Sequence, residues 1–440
     1  MSRLPRVLAL MGSGETAPTM AKVHRALFAR LPADAPGALL DTPYGFQENA
    51  DEITSRALEY FAQNIGHPLA LAPFRRADAE PLTRATAIAR AREAGFLFAG
   101  PGSPSYTLAQ WQGSELPGII ADKLRDGGIV VFASAAALTV GAHTVPVYEI
   151  YKVGDDPTWL PGLDLLGPLG MSVAVIPHYD NDEGGTHDTR YCYLGESRLR
   201  TLEAALPEGH FVLGIDSHTA LLLDLDDGTT AVEGLGGVTI RVAGRSHVLP
   251  AGTSTGIDTI GAVARSLAEA SRSAIEAAPP IDRFAPAEPA RPDRSPLSDE
   301  VRELETRFDD QLAQGAVEDA IGTLLALDQV LLDWSRDTEG TGEIDRARSA
   351  YRSCIVRLGE HAAATDRTSS DDRLAPLVDL LVDLRDRARA DRDWRRADWI
   401  RDALTEAGIE VQDAPEGTTW RYPPTVPGRV PGRARSSCPR

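Results

Sequence analysis

The sequence predicts an α/β domain on a doubly wound, mostly parallel sheet, followed by a mainly α-helical second domain. Three observations predict it. Short runs in the first half are apolar on both faces, helical patterns lie between them, and the composition changes after a Pro-rich segment that begins near residue 278. Short runs that are apolar on both faces are typical of buried parallel strands. Their alternation with helices is typical of a doubly wound sheet.

Seven apolar runs predict strands: Val7–Met11, Ala38–Leu40, Leu69–Leu71, Phe96–Ala99, Ile129–Ala133, Val173–Ile176 and Phe211–Ile215. Helical patterns at residues 49–64 and 81–94 lie between them. Residues 220–249 change to short strands with Gly-rich turns, which predict a small antiparallel set. A helix at 255–277 then closes a first domain, residues 1–277.

The second half begins with a semi-stiff Pro-rich linker, residues 278–297. Residues 298–422 predict a helical domain, with helices at 301–314, 316–334, 343–364, 374–389 and 394–407. Gly408 suits the C-cap of the last helix, and a strand pair, 409–412 with 418–422, follows it. The Pro/Gly/Arg-rich tail, residues 423–440, is expected to be disordered.

Composition limits the function before any motif is considered. The 440 residues hold 64 acidic against 45 basic side chains, a net charge of −19, whereas general binders of nucleic acid or anionic membranes need a cationic face. No apolar run approaches the roughly 18 residues that span a bilayer. The cysteines, Cys192, Cys354 and Cys438, form neither a disulfide framework nor a zinc spacing. We therefore expect a cytoplasmic protein with no membrane partner; whether it is a homo-oligomer stays open.

The sharpest local feature is Ser134, which directly follows a buried strand and precedes three alanines and a helix. A nucleophile elbow needs this arrangement, because the serine sits on a tight strand-to-helix turn and its neighbours must be small. The N–H group after the serine would then face a developing oxyanion. The alternative is that Ser134 is the N-cap of an Ala-rich helix.

A second feature is His178, which ends a buried strand at the edge where doubly wound sheets place their sites. Residues capable of binding a metal follow it: Asp180, Asp182, Glu183, His187 and Asp188. His178 as a general base, a divalent metal site and a solvated acidic loop are the three interpretations. No helical ligand spacing supports the metal.

Two Gly-rich turns also follow predicted strands: Gly12-Ser-Gly-Glu15, and the Gly100-Pro-Gly102 turn. Glycine lets a backbone approach a ligand closely, and Gly102 could offer an N–H group. Neither turn is a P-loop, since no Gly-Lys-Ser/Thr follows. The alternative is that both are simple tight turns.

In this order, the features resemble the cyanophycinase and dipeptidase E group of serine peptidases, whose fold is similar to class I glutamine amidotransferases. The matches are the two Gly-rich turns, Ala133-Ser-Ala-Ala-Ala137 and His178, and residues 214–220 (GIDSHTA) are similar to a later G-I-D-E-x-T-A segment. The resemblance covers residues 5–275. It implies Ser134 as nucleophile, His178 as base, and the N–H groups of Gly102 and Ala135 as an oxyanion hole.

The chain departs from this pattern at three positions. Phe132 and Ala136 replace the two elbow glycines, and Ala can replace Gly only where the backbone avoids positive φ. Ser217 stands where the group has an acidic residue. A catalytic base needs an orienting carboxylate, and nearby candidates are Asp180, Glu183 and Asp216.

The group often favours aspartyl or β-aspartyl peptides, which an arginine recognises. Arg190, Arg198 and Arg200 follow His178 at suitable places. Surface ion pairing explains such arginines equally well.

A second resemblance, over residues 387–421, is to the C-terminal part of cysteinyl-tRNA synthetases. The shared pattern appears as residues 396–404 (RADWIRDAL), 408–413 (GIEVQD) and 415–421 (PEGTTWR). No H-I-G-H or K-M-S-K-S type signature and no zinc cysteines occur. Residues 298–422 hold 29 acidic and 17 basic side chains, a net of −12, which opposes phosphate. A structural or partner-binding role is therefore favoured over tRNA contact.

These observations favour a serine-type peptidase or amidohydrolase that cleaves a small peptide or amide, possibly of aspartyl type, through Ser134 and His178. We expect no cofactor and no metal. Two alternatives stay open: a non-catalytic ligand-binding member of the same fold, and an accessory protein linked to tRNA or a synthetase.

Overall fold

The computed structural model describes residues 3–181, 187–277, 295–337, 341–414 and 417–421; within these ranges, the side chains of 273–277, 341–342, 363–373, 414 and 417 are not described. The chain forms two compact units, Met1–Arg352 and Ser353–Arg440. The predicted linker lies outside the described residues except for its last three, and the predicted disordered tail lies outside them entirely. The predicted domain boundaries therefore stay predictions.

Sixteen strands are present in the described residues. They are β1 (Arg6–Met11), β2 (Gly37–Leu40), β3 (Leu69–Ala72), β4 (Phe96–Ala99), β5 (Gly128–Ala133), β6 (His143–Thr144), β7 (Leu160–Pro161), β8 (Val173–Ile176), β9 (Phe211–Ile215), β10 (Thr219–Asp224), β11 (Thr229–Gly234), β12 (Gly237–Val242), β13 (Arg245–Pro250), β14 (Ser254–Gly256), β15 (Glu410–Ala414) and β16 (Gly417–Arg421). All seven predicted strands are found.

Twelve α-helices are present in the same described ranges. They are α1 (Ala21–Phe28), α2 (Ala50–Tyr60), α3 (Pro81–Glu93), α4 (Pro104–Trp111), α5 (Leu116–Asp126), α6 (Ser134–Leu138), α7 (Gly195–Ala204), α8 (Ile257–Ala277), α9 (Pro296–Ala313), α10 (Val317–Trp334), α11 (Thr341–Ala390) and α12 (Trp394–Glu406). Helix α11 corrects the prediction of two helices at 343–364 and 374–389. Residues 365–373, between the two predicted helices, are all polar and so interrupt the apolar pattern. They include no Gly or Pro, and the helix continues through them.

The first unit contains two sheets. The larger has the order β14-β11-β10-β1-β5-β4-β2-β3, and the smaller has the order β13-β12-β9-β8-β6-β7. Strands β1 to β5 pair in parallel, as do β6, β8 and β9. The predicted antiparallel set exists, but it is divided: β10 and β11 extend the larger sheet, while β12 and β13 extend the smaller one.

Burial explains this architecture. Every residue of β2, β4, β5, β8 and β9 is buried, which is expected when both faces of a parallel sheet are covered. Strands β1 and β5 pair in parallel with Met11 opposite Ala133. The residues that follow, Gly12 and Ser134, therefore leave the sheet at the same edge.

The second unit has its own small core. Val378 and Val382 of α11 pack with Ile400 and Leu404 of α12 and with Ile409, at the start of the β15–β16 hairpin. The residues of α12 that are buried, Ala397, Ile400 and Leu404, recur at helical spacing.

Candidate active site

Ser134 lies on the tight turn between β5 and α6, and its backbone has a φ of 48°. A non-glycine residue rarely adopts this left-handed conformation, which is characteristic of strained functional positions. The N-cap of α6 is Ala133, with no side-chain capping bond. Because its φ is not helical, Ser134 lies at the entry to α6, where both the elbow and the N-cap interpretations place it.

His178 follows β8 and brings its ring to Ser134. The distance between Ser134 Oγ and His178 Nε2 is 2.9 Å, which is hydrogen-bonding geometry. His178 also has a positive φ, of 47°. Its carbonyl oxygen accepts bonds from the N–H groups of Asn181 (3.2 Å) and Cys192 (3.0 Å), so the surrounding loop fixes its backbone.

The loop that supports His178 contains a left-handed turn. Tyr191, Cys192 and Tyr193 have φ values of 62°, 57° and 65°, and the Tyr191 N–H group donates to the carbonyl of Tyr179 at 3.0 Å. Three consecutive positive φ angles outside glycine are unfavourable, so surrounding contacts must hold the turn. The guanidinium of Arg241 lies over the Tyr191 ring, 5.3 Å from its centroid.

Arg241, which the sequence argument did not single out, anchors this loop. Its side chain is 4% exposed and pairs with Glu203 and Glu196, each at 2.8 Å. Burial raises the pKa of Glu196, but hydrogen bonds from Arg241 and Arg200 together outweigh burial and hold that pKa at about 2. The available signal was an arginine within the apolar run of β12, a position that needs a buried partner.

The second Gly-rich turn contacts the start of α6. Ala136 donates its N–H group to the Gly100 carbonyl at 3.2 Å. Gly102 has a φ of 138°, and a Cβ there would lie 2.0 Å from the Pro43 carbonyl oxygen, so only glycine fits. The N–H group of Ala135 belongs to the first turn of α6, where N–H groups have no intrahelical acceptor.

The first Gly-rich turn lies beside them. Glu15 is completely buried, and a Cβ on Gly100 would lie 2.9 Å from its carboxylate oxygen Oε1. His24, also completely buried, lies 2.8 Å through Nε2 from the Glu15 carbonyl. Burial lowers the pKa of His24 to about 4.

The acidic candidates for orienting His178 differ in their contacts. Asp216 Oδ2 accepts the N–H group of Gly237 at 2.8 Å, between β9 and β12. Asp180 Oδ1 accepts the N–H group of Ser217 at 2.7 Å, which brings a carboxylate to the residue where the resemblance expects one. Glu183 lies outside the described residues.

The arginine candidates also differ. Arg190 forms a two-bond pair with Asp188, with both N···O distances at 2.9 Å, and this pairing holds the pKa of Asp188 at about 2. Arg198 donates to the Leu194 carbonyl at 3.3 Å. Arg200 pairs with Glu196 on the surface of α7. Of these three, the charge of Arg190 is therefore already neutralised by Asp188.

The described residues contain neither a metal-type cluster nor a membrane-spanning helix. No group of three or more His, Cys, Asp or Glu residues in the described part of the chain has the arrangement of a metal site. No described helix is both long and apolar enough to cross a membrane.

No family model matches the chain. Its curated relatives include the cysteine–tRNA ligase of Vibrio parahaemolyticus, 52% identical over 67 residues, or 15% of this chain and 14% of the relative. The ligase of Tolumonas auensis is 33% identical over 134 residues, 28% of each chain. The chain thus spans less than a third of the length of these relatives.

Two solved structures match just over half of the chain. A peptidase from an acI-B1 Actinobacterium has 21% identity and a TM-score of 0.46, over 58% of this chain and 98% of that one. A candidate peptidase E protein from Listeria monocytogenes EGD-e has 14% identity and a TM-score of 0.35, over 53% of this chain and 100% of that one. Both resemblances expected from the sequence, to peptidase E-like peptidases and to a segment of cysteine–tRNA ligases, are found in these comparisons.

Proposed function

We propose that the chain is a serine hydrolase that cleaves a small peptide or amide through Ser134 and His178. The observation that carries the proposal is the 2.9 Å distance between Ser134 Oγ and His178 Nε2. Both residues also have positive φ angles, and such outliers cluster at active sites. A serine with only a packing role would not need a positive φ that brings its hydroxyl group to a histidine whose φ is also positive.

The proposed reaction follows from these contacts. Ser134 Oγ attacks the carbonyl carbon while His178 Nε2 accepts its proton. The N–H groups of Ala135 and Gly102 are the proposed donors to the negative oxygen of the tetrahedral intermediate. His178 returns the proton to the leaving amine. His178 then accepts a proton from a water molecule that attacks the carbonyl carbon of the acyl-enzyme, and it gives that proton to Ser134 Oγ as the acid product leaves.

Asp180 is a better supported orienting carboxylate than Asp216. Its bond with the Ser217 N–H group ties the segment after His178 to the expected acidic position, whereas Asp216 is bonded to the Gly237 N–H group. We expect Asp180→Asn to lower kcat by about 100-fold or more, as loss of an orienting carboxylate does. Asp216→Asn is the comparison, and a larger loss there would reverse the assignment.

An acidic substrate is the proposed preference, recognised by Arg198 or Arg190. Among the described residues Arg198 pairs with no carboxylate, whereas a substrate would have to compete with Asp188 for Arg190. Arg198→Met should therefore raise KM for aspartyl dipeptides and leave KM for alanyl dipeptides unchanged. Equal effects on both substrates would remove the arginine from substrate recognition.

The direct test is labelling of the purified full chain with a fluorophosphonate probe, followed by mass spectrometry of the modified peptide. We expect one adduct, on Ser134, that is absent from Ser134→Ala. Ser172→Ala is the matched control, because Ser172 precedes β8 at the end opposite to His178. An unlabelled wild-type chain would favour a non-catalytic ligand-binding protein.

RNA binding by the second unit is the second candidate function. Trp394 and Trp399 of α12 are 59% and 69% exposed, and exposed aromatic rings beside arginines can stack on bases. Residues 353–440 hold 15 acidic and 15 basic side chains, so this unit has no cationic excess that would attract phosphate. Part of the local positive charge is also neutralised, since Arg385 and Arg389 both pair with Asp413.

We therefore expect only weak binding of bulk tRNA by the full chain in gel shifts at physiological salt. The assay is repeated at a second salt concentration and with Trp399→Ala. Submicromolar binding of one tRNA, with a steep salt dependence that Trp399→Ala abolishes, would make RNA binding the leading function of this unit.

A further inference from the structure

The end of α10 and the residues just after it lie beyond the predicted peptidase-like domain and contact the turns beside the candidate site. Helices α9 and α10 both belong to the first compact unit, and Trp334, the last residue of α10, donates from Nε1 to Glu300 of α9 at 3.3 Å. Trp334 is 4% exposed. The resemblance to peptidases ends near residue 275, so nothing in that family pattern assigns a role to these contacts.

The first contact is with the turn that follows β1. Asp337 Oδ1 accepts the hydroxyl hydrogen of Thr16 at 3.1 Å, and the two residues are 5% and 1% exposed. This turn leaves the sheet beside Ser134, because β1 and β5 are paired in parallel up to Met11 and Ala133. A buried hydrogen bond to a carboxylate is strong enough to fix a turn.

The second contact is with His218, in the turn between β9 and β10. The rings of His218 and Trp334 meet edge to face with centroids 5.9 Å apart. His218 has a φ of 51°, its N–H group donates to the Ser13 carbonyl at 3.2 Å, and its Nδ1 lies 2.8 Å from Thr19 Oγ1. A Cβ on Gly14 would lie 2.2 Å from that nitrogen.

His218 thus joins the two turns that flank the candidate site. On one side it lies directly against Gly14. On the other side it is adjacent to Ser217, whose N–H group holds Asp180 at 2.7 Å, two residues after His178. A displacement of His218 would therefore move both the Ser134 side and the His178 side of the site.

We propose that Trp334 and Asp337 are positioning residues for the Ser134–His178 pair, so that the end of α10 is part of the hydrolase. This inference rests on the proposed function. Loss of either contact lets the two turns move, and a displacement of about 1 Å in a catalytic pair can reduce the rate by about 100-fold. The contacts that bind the substrate away from the Ser134–His178 pair would change little, so the expected loss is in kcat rather than in KM.

The test compares Trp334→Ala and Thr16→Val with a matched control, Arg336→Ala. Arg336 lies at the same end of α10 but donates to Gln63 and Asn64, away from both turns. The rate of fluorophosphonate labelling should fall at least tenfold in the first two variants and less than twofold in the control. Trp334→Phe, which keeps an aromatic edge against His218, should restore most of the rate.

Hydrogen–deuterium exchange separates this inference from the proposed function. Peptides covering residues 12–19 and 215–220 should exchange faster in Trp334→Ala and Thr16→Val, and peptide 61–66 should do so in Arg336→Ala. A wild-type chain that does not label refutes the proposed function. A wild-type chain that labels at Ser134, with unchanged labelling in both variants, refutes the positioning role alone.

Discussion

Replacing Ser134 by glycine and by alanine separates the strain of its backbone from the loss of its hydroxyl. Both variants lose the bond to His178 Nε2, which contributes about 1 kcal/mol. They differ in the Cβ atom, which at a φ of 48° destabilises the folded chain by about 1–2 kcal/mol. Glycine also makes the unfolded chain more flexible, which opposes folding by roughly 0.5–1 kcal/mol. Glycine also removes a buried methyl group, worth about 0.8 kcal/mol, so Ser134→Gly and Ser134→Ala should differ by less than about 1 kcal/mol. The same Ala-to-Gly change at position 133, where there is no strain to relieve, should cost about 1–2 kcal/mol more than at position 134.

The measurement is urea unfolding of the full-length variants, compared by the midpoint of the transition at constant slope. Ala133→Gly is the matched control. Ala133 is buried and has extended angles, φ −125° and ψ 154°, so glycine relieves no strain there and removes a buried methyl group. It should destabilise the chain by about 1 kcal/mol or more. Neither Ser134 variant should react with a fluorophosphonate.

An equal cost at the two positions would refute the reasoning. If the Ala-to-Gly change destabilises the chain as much at position 134 as at position 133, the positive φ stores no strain, and the argument that this turn is a nucleophile elbow fails. If the two costs differ as expected but Ser134→Ala still reacts with the probe at another residue, the turn is strained and Ser134 is not the nucleophile.

Three further outcomes are expected. His178→Ala should lose as much activity as Ser134→Ala and the double variant no more, since residues acting as one unit are non-additive; chelator-sensitive activity restored by zinc or manganese would instead indicate a metal site. Because burial lowers the pKa of His24 to about 4, the unfolded chain takes up a proton below about pH 6.5 before the folded chain does. The free energy of unfolding of the wild type should therefore fall by roughly 3 kcal/mol more than that of His24→Phe between pH 6.5 and 4, and parallel curves would refute this. Arg241→Ala should destabilise by roughly 3 kcal/mol because it leaves carboxylates buried without their partner, whereas the exposed Arg200→Ala should change stability by less than about 0.5 kcal/mol; similar values for the two would contradict the buried network.

The strands could be predicted because their signal is local. A run such as 129–133 is apolar on both faces, and only a covered parallel strand buries both. The division of residues 220–249 between two sheets could not be predicted, because the partner of β10 is β1, more than 200 residues earlier in the chain. The single helix α11 differs from the two predicted helices because the polar residues 365–373 interrupt the apolar pattern and not the helix.

In the candidate site, too, some residues could be predicted from the local sequence and others could not. Ser134 and His178 each follow a buried strand, so their sequence positions place both at the edge where strands end. Contacts that depend on distant segments carried no comparable signal. Trp334 fits the apolar pattern of an ordinary helix core residue, yet its ring meets His218, 116 positions earlier. Arg241 stands out as an arginine within an apolar run, but its acidic partners are recognisable only once α7 lies against β12.

Phe132 and Ala136 stand where the group that the sequence resembles has glycines, and they are compatible with the serine turn because the positive φ falls on Ser134. Neither Phe132 nor Ala136 has a positive φ. Phe132 is completely buried in β5 and packs on Trp111 with ring centroids 5.4 Å apart, so glycine there would leave a cavity. Ala136 bonds to Gly100 through its backbone. The substitutions therefore repack the surroundings of the turn and leave its backbone geometry, which a nucleophile requires, in place.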